Sequence, residues 1–308
     1  MKHFVAIGLL AACSSSTAID PRWSTAAPLP AAIQEMHAAV LQGRIYVAGG
    51  FNDANQPSRT AFRYDPAADR WDPIADLPEA RHHMPLVVVG DSLYAVGGLV
   101  GSSFAGGTNL WVYRADLNQW QTRAPLPLGR GASAAVAVGG QIIVVGGLGP
   151  TSTEVDSTAI YTQSTNAWRN AAPIPTRRDH LTAQAVNGIV YAIGGRPGDP
   201  DRNFNTVEAF DPVANSWTSR AAMPSRRGGL GSAVLGDSIH TFGGETSSAT
   251  FAHHEIYHPA SNTWTTAPRM PTARHGLAVA AVGGKVYVIG GGPRAGFDQT
   301  DVVEVFSP

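Results

Sequence analysis

One cysteine, Cys13, stands in the whole sequence, so no disulfide can close within the chain. Charge is scarce as well: charged residues make up 15% of the chain and the formal net charge is −1. The missing basic stripe excludes an electrostatic footprint for nucleic acid, and the missing acidic tract excludes a solvating tail. Long apolar runs are absent. The run at residues 4–12 falls well short of the roughly 20 residues that a membrane-spanning helix needs. No sustained apolar pattern of period 3.6 occurs, so helix is expected to be rare. Nor does any Gly-x-Ser-x-Gly elbow or phosphate-cradling Walker loop occur. What the chain has in quantity is 34 glycines and 22 prolines, the composition of a protein full of tight turns.

The N-terminus reads MKHFVAIGLLAACSSSTAID. Lys2, the short apolar run and the small residues after it fit a secretory leader. Leu10-Ala11-Ala12-Cys13 resembles the lipobox of bacterial lipoproteins. That resemblance implies a signal peptide at residues 1–12, lipidation at Cys13 and a lipidated tether at 13–20. Ser14 after the cysteine resembles the pattern of lipoproteins sorted to the outer membrane. The expectation is therefore an exported protein held in the periplasm, touching a bacterial membrane only through its acyl chains. Each buried CH₂ contributes about 0.8 kcal/mol, and stable anchoring takes more than one chain.

A repeat organises everything that follows. RIYVAGG returns as SLYAVGG, QIIVVGG, IVYAIGG, SIHTFGG and KVYVIGG, with glycine pairs beginning at Gly49, Gly97, Gly146, Gly194, Gly243 and Gly290. A fixed period of about 20–50 residues signals a repeat architecture. A turn such as Asn187-Gly188 precedes each pair, and most of these turns suit two-residue hairpins needing positive φ. An aromatic follows (Tyr64, Tyr113, Tyr161, Phe210, Tyr257, Phe306), then a tryptophan (Trp71, Trp120, Trp168, Trp217, Trp264), then a proline that ends the unit. Each unit is four strands, a to d. Strand a is rich in Ala, Gly and Ser, as expected of innermost strands crowded around an axis. Phe306 has no tryptophan after it, whereas Trp23 precedes the first unit at the same spacing. The N-terminal segment is thus expected to supply strand d of the last unit, closing the ring and removing its exposed sheet edges.

The combination of Gly-Gly, Tyr64-Asp65-Pro66, the recurrent Trp and Met-Pro resembles the Kelch repeat over residues 21–308. The resemblance implies an all-β, six-bladed Kelch β-propeller with four antiparallel strands per blade. WD40 repeats are shorter, and their Trp-Asp ending occurs here only at Trp71-Asp72.

In such a ring the b–c loops and d–a connections share one face, and the b–c loops vary most. On the d–a connections Arg81, Arg130, Arg178, Arg227 and Arg274 recur, with Ile33 in the first repeat. Two residues later come Glu35, His83, Ala132, His180, Gly229 and Gly276. Two residues apart on a strand, the two sets are expected on the same side, giving a partial ring of arginines at the mouth of the central channel with Glu35, His83 and His180 nearby. In Kelch propellers that bind acidic peptides, arginines at these positions line the binding face, and guanidinium forks suit carboxylates. The competing reading is that an arginine recurring in five repeats ties blades together. Departures from the repeat are then the better candidates: Glu35, His37, His83, Arg196, Glu245, His253, His254 and Arg294. Trp111 also departs, but a strand-c tryptophan is expected to be buried. Metal is not expected: adjacent residues on a strand point to opposite faces, so His82-His83 and His253-His254 chelate poorly. No cofactor is expected either; galactose oxidase, a copper enzyme with Kelch blades, shares only the repeat.

Two functions follow from the resemblance. The first is a non-catalytic interaction module, expected to be monomeric, that recognises a protein or glycan on the loop face. The second is a carbohydrate epimerase or mutarotase, since bacterial N-acetylneuraminate epimerases are also six-bladed Kelch propellers. Ring opening needs an acid/base pair, and Glu245, His180 and Arg227 or Arg178 are candidates. That reading requires Glu245, His180 and an arginine to converge within about one sugar diameter.

Overall fold

The computed structural model describes residues 19–308; the leader, Cys13 and residues 13–18 of the expected tether lie outside the described residues. Besides one two-stranded ribbon, Leu99–Val100 with Ala105–Gly106, the described residues form six four-stranded antiparallel sheets. Each alternates in the way the repeat dictates: in blade 1, His37–Leu41, Arg44–Ala48, Ala61–Asp65 and Arg70–Pro73 run from inside to outside. Blades 2 to 6 begin at the inner strands Leu86–Val89, Ala134–Val138, Thr182–Val186, Gly228–Leu235 and Ala278–Val282. Each inner strand touches the next, and the sixth touches the first, so the ring is closed. Among the described residues the only helical segments are three single 3₁₀ turns.

The seam closes as the spacing predicts. Trp23–Thr25 pairs antiparallel with Val303–Phe306, with Trp23 opposite Phe306 and their rings 5.3 Å apart. The Trp23 indole N–H donates to the Pro268 carbonyl. Every other recurrent tryptophan does the same across a blade boundary, as Trp217 does to Ala172. A second staple runs beside it: the Phe210 blade's Asn215 accepts from the Ala172 N–H. Because each indole is largely buried, its N–H must find an acceptor there.

The two glycines of the repeat have separate tasks, clearest at Gly194-Gly195. Both have positive φ, +63° and +98°. A Cβ on Gly194 would stand 2.6 Å from the Arg227 carbonyl oxygen of the next blade, and one on Gly195 would stand 2.7 Å from the Asp179 carbonyl oxygen of its own blade. The Gly195 N–H donates to that same Arg227 carbonyl at 2.9 Å. The pair is therefore a backbone clasp between neighbouring blades, and two adjacent residues must lack side chains for it to form.

Candidate active and binding site at the loop face

The d–a connections are not extended at the channel mouth. Glu35, His83, Ala132, His180, Gly229 and Gly276 all have positive φ, between 48° and 66°. Their backbones form a closed ring: each N–H donates to the carbonyl of the equivalent residue one blade back, over 2.7–3.0 Å. Six donors and six acceptors around the axis satisfy one another, and no side chain is needed to hold the ring. Below it the channel is a space of about 80 Å³ lined by the small residues of the inner strands together with His37 and Gln184. Above it opens a pocket of about 380 Å³.

The arginine collar is corrected by the structure. Arg130, Arg178, Arg227 and Arg274 are fully buried, and Arg81 nearly so. Their guanidinium groups turn outward into the blades instead of toward the mouth. Arg178 pairs with Glu208, Arg227 with Glu255 and Arg274 with Glu304, three glutamates at one position of strand c. At that position blade 2 has Trp111, whose ring lies under Arg81 at 5.4 Å. Blade 3 has Ala159, and there Arg130 is held by the Ser157 carbonyl and hydroxyl. Blade 1 has Phe62 at that position, and Ile33 replaces the arginine. Each buried arginine thus has partners within its own blade, a glutamate in three of the five, and the blade without the arginine has phenylalanine at that position. Burial lowers the pKa of Arg178, Arg227 and Arg274, and their glutamates oppose that shift. Arg227 and Arg178 are therefore not available to hold a substrate acid.

What does converge is a polar floor. Glu35 Oε2 lies 3.0 Å from His83 Nε2, which is itself 3.0 Å from His180 Nε2. His180 Nδ1 donates to Asp179. Arg196 Nη1 donates to Glu245 at 2.8 Å, and its Nε lies 3.6 Å from Asp179. His275 Nε2 faces Glu245 at 3.4 Å and Glu35 at 3.6 Å. All of these residues are buried, and Phe51, Phe104 and Phe297 rim the pocket above them. The Phe297 ring stands edge-on to Phe51 at 5.1 Å and is 56% exposed.

Burial sets the charges. It pushes the Glu35 carboxyl up to about 8, assisted by the negative charge of Glu245, so Glu35 is protonated at neutral pH. Burial acts the same way on Glu245, but His275 and Arg196 outweigh it and hold the group below the usual carboxylate range. Burial also lowers His83, His180 and His275, with Asp179 opposing it at His180 and Glu245 opposing it at His275. His37, deeper in the channel, is lowered to about 4 by burial and by His180.

Of the residues singled out from the sequence, Glu35, His83, His180, Arg196 and Glu245 meet here. His253 and His254 do not: His254 is packed in the core beside Phe242 and Phe306, and His253 lies near Phe251. Arg294 is exposed, near Asp298. The convergence asked of Glu245, His180 and an arginine is met by Arg196. The sequence reasoning missed Asp179 and His275. Each follows a repeated arginine directly, in a series Gln34, His82, Gly131, Asp179, Gly228, His275, and that series carried the signal. The positive φ of the next residue also undoes the argument from strand alternation: His82 and His83 are adjacent, yet their Nδ1 atoms touch.

A closed ring of six four-stranded blades with this clasp defines a Kelch-type β-propeller carrying a polar pocket on its axis. The KLHDC2/KLHL20/DRC7 Kelch-repeats domain matches residues 82–292, and the Kelch motif matches residues 35–78. The chain belongs to the Kelch-repeat family. Kelch-like protein terF of Aspergillus terreus is 36% identical over 88 residues, 26% of this chain and 19% of that protein. Kelch-like protein 35 of Mus musculus is 30% identical over 97 residues, 31% of this chain and 17% of that protein. The matched segment thus spans less than a fifth of either relative. The solved structure of YjhT is similar in fold, with a TM-score of 0.79 at 15% identity, covering 92% of this chain and 97% of that one.

Proposed function

We propose that this propeller is a binding module whose loop-face pocket takes a single polar unit, a sugar residue free or terminal on a glycan. One observation carries the reading: a space of about 380 Å³ whose floor is buried Glu35, Asp179, Arg196 and Glu245 and whose rim is phenylalanine. Ligand sites combine an apolar wall with a few convergent polar groups and usually measure about 300–1,000 Å³. A space at the lower end of that range suits one ring better than a length of protein chain. Phe297 offers a face for the apolar side of a sugar, and Arg196 with Glu245 offers donors and acceptors for its hydroxyls or carboxylate. In this reading the protein is exported and tethered to a membrane by acyl chains on Cys13. Saturation-transfer NMR with a panel of neutral sugars and sugar acids tests it. Transfer to one class, lost in Arg196→Met, is expected. A flat panel together with capture of a peptide library on the same face would replace the sugar with a protein partner.

A second reading is mutarotation of the bound sugar. It is favoured by the separation of the two carboxyls: Glu35 is held protonated while Glu245 is held ionised, the arrangement of an acid/base pair. Exchange NMR of the anomeric protons, comparing wild type with Glu245→Gln, distinguishes binding from turnover. Accelerated anomer exchange that vanishes in the variant supports catalysis, and a wild-type rate equal to the buffer rate overturns it.

A further inference from the structure

The hydrogens of the pocket floor do not close. His82 Nε2 lies 3.1 Å from the Gly101 carbonyl, which can only accept, so that nitrogen carries the hydrogen. Neutral His82 then presents a bare Nδ1 to His83 Nδ1, and His83 must donate to it. That leaves His83 Nε2 bare. Asp179 likewise takes the hydrogen of His180 Nδ1, which leaves His180 Nε2 bare. These two bare nitrogens face each other at 3.0 Å, with a Glu35 oxygen 3.0 Å from the first. A proton on Glu35 satisfies one nitrogen and leaves the other aimed at a lone pair.

We propose that His83, His180 and Glu35 form a binding site for one divalent transition ion of the zinc class, open on its fourth side to the loop-face pocket. Three observations support it. The donor atoms of the triad lie within 4.8 Å of one another and are all buried. The 3.0 Å separations from His83 Nε2 to His180 and to Glu35 come within a few tenths of an ångström of the roughly 3.3–3.6 Å between ligands placed about 2.0–2.2 Å from a tetrahedral ion. Both imidazoles are oriented through their far nitrogens, His83 by His82 and His180 by a carboxylate, and the carboxylate is the support that metal-bound histidines usually have. Two histidines, one glutamate and an open position is also a ligand set used by zinc sites that keep a water. On the open side, Glu245 and His275 stand ready to bond that water. So does Gln34, whose buried side-chain oxygen has no donor among the described residues. The six-membered backbone ring fixes the three ligands before any ion arrives. Binding the ion displaces the Glu35 proton to solvent, so an occupied site and an acid role for Glu35 exclude one another, while the inference does not depend on which sugar the pocket accepts.

The test is metal binding by the full chain, purified through a tag without histidine, stripped with chelator and titrated with Zn²⁺ and Co²⁺. One ion per chain is expected, with a Co²⁺ spectrum of low-coordinate form. Affinity should fall more than about 100-fold in His180→Ala and about 10–100-fold in Asp179→Asn, which leaves the ligands in place and removes the charge that orients His180 and faces Arg196. His254→Gln, a buried histidine elsewhere, should leave binding unchanged. A wild-type chain that takes up no ion overturns the proposal without reference to any variant. So does an ion retained by folded His180→Ala, or lost in His275→Gln while His180→Ala keeps it.

Discussion

Replacing Glu208 by alanine should unfold blade 4 far more readily than its position on an outer strand suggests. Arg178 and Glu208 are both buried, and Glu208 also accepts from the Thr176 hydroxyl. Removing one member of a buried ion pair leaves a charge with no compensation and costs about 3–5 kcal/mol. Arg178→Ile alone strands the carboxylate and should cost a similar amount. If the two losses were independent they would sum to about 6–10 kcal/mol, a large part of the roughly 5–15 kcal/mol that stabilises a folded domain. They are not independent. Blade 1 fills the same two positions with Ile33 and Phe62, both buried. The double variant Arg178→Ile/Glu208→Phe, which copies that solution, should therefore cost no more than about 3 kcal/mol, the remainder being the Thr176 and Ala192 carbonyls that lose their donors. Urea unfolding followed by tryptophan fluorescence closes the cycle. A Glu208→Ala cost below about 1 kcal/mol, or a double variant no better than the sum of the singles, would refute the assignment of the arginines to packing and return them to the ligand site.

Other outcomes follow from the same geometry. Gly194→Ala should cost at least about 2 kcal/mol, since the new methyl meets the Arg227 carbonyl; Gly188→Ala, with φ +80° and open space, should cost about 1 kcal/mol, and thermal melts compare the two. Trp23→Ala should cost about 3–5 kcal/mol and expose the last blade to proteolysis first, read by mass spectrometry of the early fragments. Acid should weaken the core of blade 5. His240 is held at about 4 chiefly by burial and then by His258; His254 is held at about 3 by burial and then by His240. Both lie below the ordinary imidazole value, so the unfolded chain binds protons first. Stability is complete above about pH 6.5 and is lost on acidification toward about pH 4, at up to about 1.4 kcal/mol per pH unit for each imidazole. His254→Phe should flatten that slope in melts taken between these two pH values. Finally, intact-mass analysis of membrane-extracted protein should show acyl chains that Cys13→Ser abolishes.

The blade count, the strand order and the seam were legible in the sequence, because each depends on residues that every repeat must supply. Two glycines are needed wherever two backbones cross, a tryptophan wherever a blade boundary offers a carbonyl, and Trp23 completes the count that Phe306 leaves open. Half of the pocket was legible for the opposite reason: Glu35, His83, Arg196 and Glu245 break a pattern that packing would have preserved. The arginines could not be judged that way. Their fate depends on Glu208, Glu255, Glu304 and Trp111, which lie about 30 residues away and become neighbours only when strand c folds over the connection.

Sequence alone determined the ring, since a repeat states what each blade needs from the next. Only the tertiary structure decided which side chains face the axis. One left-handed residue per blade turns the connection out of the extended form, and with it Asp179, His180, His83 and Glu35 toward a single point that no spacing along the chain describes.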